Sequence, residues 1–183
     1  MNNEVAGRAD QDARSSSEDI PVVPDVLEHI ALAQEMFAEW GERLRGDSSI
    51  AGRLEDLRRK TDATFSVMVD VGVVETCRHC DEEEGGSCCG AGIERRYGAV
   101  LLLLNLLLGC SLPTSRCVWN GCLFLGPKGC TLKARHVLCV NYLCAKVCER
   151  LSHEGRFLLQ DVSGEELDAT FAVHEAVKRF IER

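Results

Sequence analysis

Cysteine is absent from the first 76 residues of this 183-residue chain and from the last 35, so all eleven cysteines fall between Cys77 and Cys148. That confinement argues against a disulfide framework spread through the fold, and an odd count would leave one thiol over after complete pairing. The N-terminal stretch lacks a basic segment followed by an apolar one, the pattern of a secretory signal. The expected compartment is therefore the cytoplasm, where thiols stay reduced and clustered cysteines serve metal binding or catalysis rather than cross-linking. The longest apolar run, YGAVLLLLNLLLG from Tyr97 to Gly109, is thirteen residues interrupted by Asn105. As a helix it would span only ~20 Å against ~30 Å of bilayer hydrocarbon, so no membrane partner is expected. The chain also lacks a basic stripe, and its net charge is −8 with a pI near 5.2, which excludes nucleic acid as the expected partner. There are no hydrolase, kinase or dinucleotide motifs, and no run of alternating strands.

What is present reads as helix. Residues 1–22 are polar and poor in bulky apolar groups, the composition of a disordered tail. Residues 23–183 are read as a single domain, beginning with a helical hairpin over 23–70. Asp25 would cap its first helix, which carries the stripe Val26, Ile30, Ala33, Phe37, Trp40 and Leu44. Ser48 or Ser49 would cap the second, with the stripe Ile50, Leu54, Leu57, Thr61, Phe65 and Met68. Val67 to Val74 is the one segment where a short strand competes. The apolar run is expected to be a buried central helix, with Glu94, Arg95 and Arg96 in its first turn near solvent. A last helix over 163–182 would start at a capping box of Ser163 and Glu166 and bury Leu167, Phe171, Val177 and Ile181, with His174 on or beside that face. The fold class is thus mainly α, a helical bundle around a cysteine-rich metal-binding core with irregular loops.

The cysteine-cluster region, residues 77–150, has two clusters flanking the apolar helix. Cys77-x2-Cys80-x7-Cys88-Cys89 precedes it, and Cys122-x7-Cys130-x8-Cys139-x4-Cys144 follows. Soft thiolates select zinc, copper(I) or iron–sulfur clusters, and a C-x2-C turn points two sulfurs at one ion. Eight ligands are therefore available. The adjacent pair Cys88 and Cys89 would strain a single chelate, so their sulfurs reach two metals more easily, or one ligates while the other packs. Cys110, Cys117 and Cys148 are read as packing cysteines, although Cys148 lies one helical turn beyond Cys144. Nine Lys and Arg against six Asp and Glu give this region an excess of three positive charges, which would offset bound thiolates.

These residues resemble the YkgJ-type cysteine-cluster family, described as zinc- or iron-chelating. Cys77-x2-Cys80 with the Cys88-Cys89 pair matches its CxxC…CC signature. CLFLGPKGCTLKARHVLCVNYLC matches the second half at Cys122, Phe124, Leu125, Cys130, Leu132, Arg135, Cys139 and Tyr142. The resemblance covers residues 77–144. It departs in a longer Cys80–Cys88 spacer, in His136 where the family has proline, and in the extra thiol of Cys144. It implies a metal-chelating protein and brings no physiological role with it.

The function expected is a cytoplasmic protein that holds zinc or iron through Cys77, Cys80, Cys88, Cys89, Cys122, Cys130, Cys139 and Cys144. The alternative is an iron–sulfur protein in electron transfer or redox catalysis. An interaction scaffold built on the N-terminal hairpin is a third class. A redox dithiol at Cys77-Arg78-His79-Cys80 lacks the βαβ context it would need.

Overall fold

The structure is a computed structural model that describes residues 22, 24–83 and 88–183; apart from Val22, the expected tail lies outside them. The described chain is mainly helical. It runs α1 (Pro24–Gly46), α2 (Ser48–Asp70), α3 (Val73–Glu83), a 3-10 turn (Ile93–Arg96), α4 (Ala99–Leu107), β1 (Leu125–Gly126), β2 (Gly129–Cys130), α5 (Val137–Asn141), α6 (Ala145–Arg150) and α7 (His153–Ile181). The two strands form a single antiparallel hairpin with Leu125 opposite Cys130.

The first two helices fall where their apolar periodicity places them, but their caps differ. Pro24 opens α1 and Asp25 sits inside its first turn rather than at the cap, as suits a proline whose missing N–H costs nothing there. Asp47, not Ser48 or Ser49, caps α2: its carboxylate accepts from the Ile50 N–H at 3.0 Å. Val26, Ile30, Ala33 and Leu44 are buried, as are Ile50, Leu54 and Leu57. The α2 stripe then turns. Phe65 is 56% exposed, and the buried residue of that turn is Thr64, whose hydroxyl donates to Lys60 O and across to Val162 O of α7. The segment from Val67 stays helical to Asp70, turns at Gly72 (φ +78°) and re-enters helix at Val73, so no strand forms there.

Helix α4 is the centre of the core. Leu102, Leu103, Leu104 and Leu107 are buried among residues of α1, α2 and α7, and α1 packs along one side of it. Among the described residues no helix is long and apolar enough to cross a membrane. Of the three charged residues before α4, Arg95 and Arg96 are exposed as expected, but Glu94 is fully buried.

The last helix differs most. It begins at His153, ten residues before the expected start, and Ser152 is its cap, with the Gly155 N–H donating to Ser152 Oγ at 3.0 Å. Ser163 and Glu166 are buried in mid-helix and form no capping box. Glu166 faces Arg135 instead (3.5 Å). The buried face is Gly155, Leu159, Ser163, Glu166, Ala169, Val173 and Val177, and it packs mainly on α2. Phe171 is 68% exposed. The stripe read from sequence followed the bulkiest residues. The face that packs interleaves small residues, Gly155, Ser163 and Ala169, with Leu159, Val173 and Val177.

Candidate metal centre

The cysteines before and after α4 are brought together by polar contacts that begin in the helix itself. Asn105 is fully buried and clamps the returning chain. Its Nδ2 donates to Leu101 O and to Ala134 O, both at 2.9 Å, and its Oδ1 accepts from the N–H groups of Lys133 (2.9 Å) and Ala134 (3.0 Å). This fixes the stretch between Cys130 and Cys139. Tyr97, just ahead of α4, does the same from the other end. Its ring packs edge-on against Phe124 (5.0 Å between centroids), and its hydroxyl accepts from His136 N (3.1 Å) and donates to Cys139 Sγ (3.6 Å).

A second set of contacts zips residues 89–94 against 116–122. The Cys122 N–H donates to Cys89 O at 2.6 Å, the Ala91 N–H to Asn120 O at 2.9 Å, and Gly90 bridges Gly121. Gly121 has little room for a side chain: a Cβ there would lie 3.0 Å from Val118 Cβ. Arg116 locks the arrangement by donating both to Gly121 O and to the buried Glu94 carboxylate, which also accepts from Gly92 N (2.9 Å). Burial alone would raise the Glu94 carboxyl. The Arg116 hydrogen bond, the backbone N–H donors and the Arg116 charge outweigh it and hold the group below the ordinary carboxylate value.

The eight expected ligands influence one another mainly in two sets, which overlap at Cys89. Cys89, Cys122, Cys130 and Cys139 form one. Burial pushes the Cys89 thiol up to about 11, and the sulfurs of Cys130, Cys139, Cys77 and Cys88 add to the shift. Cys122, buried beneath Phe124, is pushed up to about 12; the Phe124 N–H opposes this, while Glu94, Cys130 and Cys89 reinforce it. Burial likewise raises Cys130, against the Leu132 N–H and the Arg135 charge and with Cys139 and Cys110.

Cys77, Cys80, Cys88 and Cys144 form the other group. Cys77 and Cys80 lie one helical turn apart on α3, not in a free C-x2-C turn, and Cys144 caps α6. Loss of water around its sulfur raises the Cys77 thiol, and Cys144, Cys88 and Cys80 raise it further. Cys88 is raised by burial and then by Cys144 and Cys80, with a hydrogen bond to Cys144. Lys146 donates to Cys80 Sγ at 3.7 Å. Of the dipeptide, Cys88 is influenced by Cys144 and Cys80, whereas Cys89 is influenced by sulfurs of both sets.

Among the described residues, no group of three or more His, Cys, Asp or Glu side chains is arranged to hold a metal ion. Thiolates around one tetrahedral ion stand ~2.3 Å from it and therefore ~3.8 Å from one another. Each group would have to draw its sulfurs together and shed their protons to close on an ion. The donor chemistry, four sulfurs apiece with a cation beside each group, suits a soft metal. Of the other cysteines, Cys148 donates its thiol to Leu143 O (3.7 Å), Cys110 lies near Cys130, and Cys117 is exposed. His136 accepts from Leu138 N through Nδ1 (3.2 Å), and His79 sits beside Glu83 (3.2 Å).

Sequence reasoning passed over Asn105, Tyr97, Arg116 and Lys146. Asn105 carried a signal, since a lone amide inside a leucine run needs a partner wherever that run is buried. The pairing of Glu94 with Arg116 had none, because nothing local links residues 22 positions apart. Comparison of the chain with protein-family models, with curated proteins and with solved structures finds no match in any of the three.

Proposed function

We propose that this is a thiolate metal-binding protein that takes two ions of zinc or iron, one on Cys77, Cys80, Cys88 and Cys144 and one on Cys89, Cys122, Cys130 and Cys139. The observation that carries this reading is the Cys122 N–H to Cys89 O bond. It seats the chain after α4 against the Cys88-Cys89 dipeptide, which supports a reading in which the neighbouring sulfurs serve different ions. Adjacent side chains are poorly placed to chelate one ion and well placed to serve two. Lys146 beside Cys80 and Arg135 near Cys130 supply positive charge where bound thiolates would be most crowded. The resemblance of residues 77–144 to the YkgJ-type cluster agrees with a chelating role. The tight backbone clamps around the second group suit a held metal better than a mobile dithiol.

The test is metal content of protein purified without oxygen. Two equivalents of zinc or iron per chain are expected, with Cys139→Ser and Cys80→Ser each losing one. Cobalt(II) loaded in place of the native ion should show the intense visible bands of tetrahedral sulfur ligation in both variants. Iron accompanied by acid-labile sulfide would assign an iron–sulfur cluster instead. Metal content unchanged in both variants would refute the reading.

A further inference from the structure

Part of the face of α7 that sequence assigned to the core, Leu167, Phe171 and His174, instead borders a groove, whereas Val177 is buried in the core as expected and Ile181 packs against it. Leu167 and Phe171 of α7, Val100 and Leu101 of α4, and Val137 line a space of about 660 Å3, within the range of small-molecule sites. Phe171 and Val137 are large apolar side chains, and they are 68% and 47% exposed. The charged groups along the groove are mostly balanced. Arg135 faces Glu166 (3.5 Å), Lys178 faces Glu175 (3.6 Å), His174 also faces Glu175 (3.3 Å), and Asp168 lines the wall. Arg96 is exposed at the groove and has no ion-pair partner among the described residues. Beside it, His136 uses Nδ1 to accept from Leu138 N, which leaves Nε2 of the neutral ring as the protonated, donating nitrogen. Among the described residues, the groove therefore offers one cation outside any ion pair with a neutral N–H beside it, along an apolar wall that also carries the Asp168 carboxylate, so the groove as a whole has no excess of positive charge.

We propose that this groove binds a small monoanion with an apolar body, its charged head at Arg96 and His136 and its hydrocarbon or aromatic part against Val137, Leu167 and Phe171. A single anionic head matches the single unpaired cation. A second negative charge would meet Asp168 and the carboxylates that already hold Arg135 and Lys178. A neutral apolar molecule would leave Arg96 facing the ligand without a counter-charge. The proposal is independent of the metal reading, because none of these residues is one of the eight expected ligands.

The experiment uses the intact protein and two fluorescent probes of nearly one shape, anilinonaphthalene sulfonate and its uncharged counterpart phenylnaphthylamine. The sulfonate should bind and brighten, and decanoate but not decanol should displace it. Arg96→Gln should weaken it about tenfold, the loss that follows from deleting one charge-assisted hydrogen bond. Phe171→Ser should weaken both probes. Phe65→Ser, which removes another exposed aromatic (56% against 68% for Phe171) on α2 outside the groove, should change neither. All three positions are exposed, so folding is not at stake. Binding of the two probes with equal affinity, indifference to Arg96→Gln, or an equal loss in Phe65→Ser would overturn the proposal.

Discussion

Replacing Asn105 with leucine tests whether the amide that interrupts the apolar run organises the cysteine region. The leucine keeps the branching and the number of heavy atoms in a helix it favours, so propensity changes little and the bulkier methyl groups add only a packing cost to the loss below. The hydrogen bonds change a great deal. Leu101 O loses the Asn105 amide but keeps its helical donor. Lys133 is half-buried, so its N–H is the less costly of the two backbone donors to leave unpaired. Ala134 is fully buried, and both its N–H and its C=O lose the partner that Asn105 supplied. Each buried backbone group left unpaired costs about 1–3 kcal/mol. Two such groups give about 2–6 kcal/mol, offset in part because the amide no longer has to be desolvated. We expect a net loss of ~3 kcal/mol in urea unfolding, and a fall in Tm of about 6–12 °C for a chain of this size. The loss should also reach the thiols, because residues 133 and 134 hold the segment between Cys130 and Cys139. Metal bound by the second group should weaken, while metal on Cys77, Cys80, Cys88 and Cys144 should not. A variant that unfolds within ~0.5 kcal/mol of the native chain would show that Ala134 finds other partners and that the clamp is incidental.

Two further perturbations probe the frame. Glu94→Gln breaks a buried ion pair and leaves Arg116 without its counter-charge, so it should cost about 3–5 kcal/mol at neutral pH in chemical unfolding. The pH dependence has a definite sign. The Glu94 carboxyl is held below its ordinary value of 4.5, so its contribution is present above that pH and lost as pH falls through the lower folded value. The gap between native and variant chains should therefore narrow on acidification below 4.5, and a gap that widens would contradict the assignment. On α7, Leu159→Ala should cost about 2–5 kcal/mol because Leu159 is 2% exposed, whereas Phe171→Ala should stay within ~0.5 kcal/mol. Reversal of that order in thermal melts would return the buried face to the stripe read from sequence.

Periodicity made α1, most of α2 and α4 legible because each buries a continuous row of large apolar residues against the same core. It failed on α7 for a physical reason. That helix packs along α2 through Gly155, Ser163 and Ala169 as well as Leu159, Val173 and Val177, and small residues carry almost no weight in an apolar stripe. The large residues, Phe157, Leu158 and Phe171, are left outside. The same effect misplaced the helix start. Ser163 with Glu166 has the spacing of a capping box, yet Ser152 with the Gly155 N–H supplies the actual cap ten residues earlier, and Glu166 is buried because Arg135 comes from a distant loop to meet it.

The candidate site was legible in composition and illegible in arrangement. Which residues are thiols is a property of the chain, and their two runs around an apolar helix could be read directly. How they group depends on contacts between residues far apart in sequence: Cys89 with Cys122, Glu94 with Arg116, Tyr97 with Cys139, and Asn105 with Ala134. These contacts are not equally strong on the two sides. The loop that carries Cys122, Cys130 and Cys139 is tied to the main core through Leu123, Phe124, Leu132 and Ala134, and by buried hydrogen bonds to α4. The helices that carry Cys77, Cys80 and Cys144 rest on a smaller cluster of Val73, Val147, Leu151 and Leu159. Segments tied to a large core have less freedom to move when their thiols bind an ion. A group held by four buried side chains gains proportionally more order from whatever its sulfurs bind. Under the proposed reading, Cys122, Cys130 and Cys139, tied to the larger core, would need the smaller rearrangement to close on an ion, and the thiols on α3 and α6 would gain more order from what they bind.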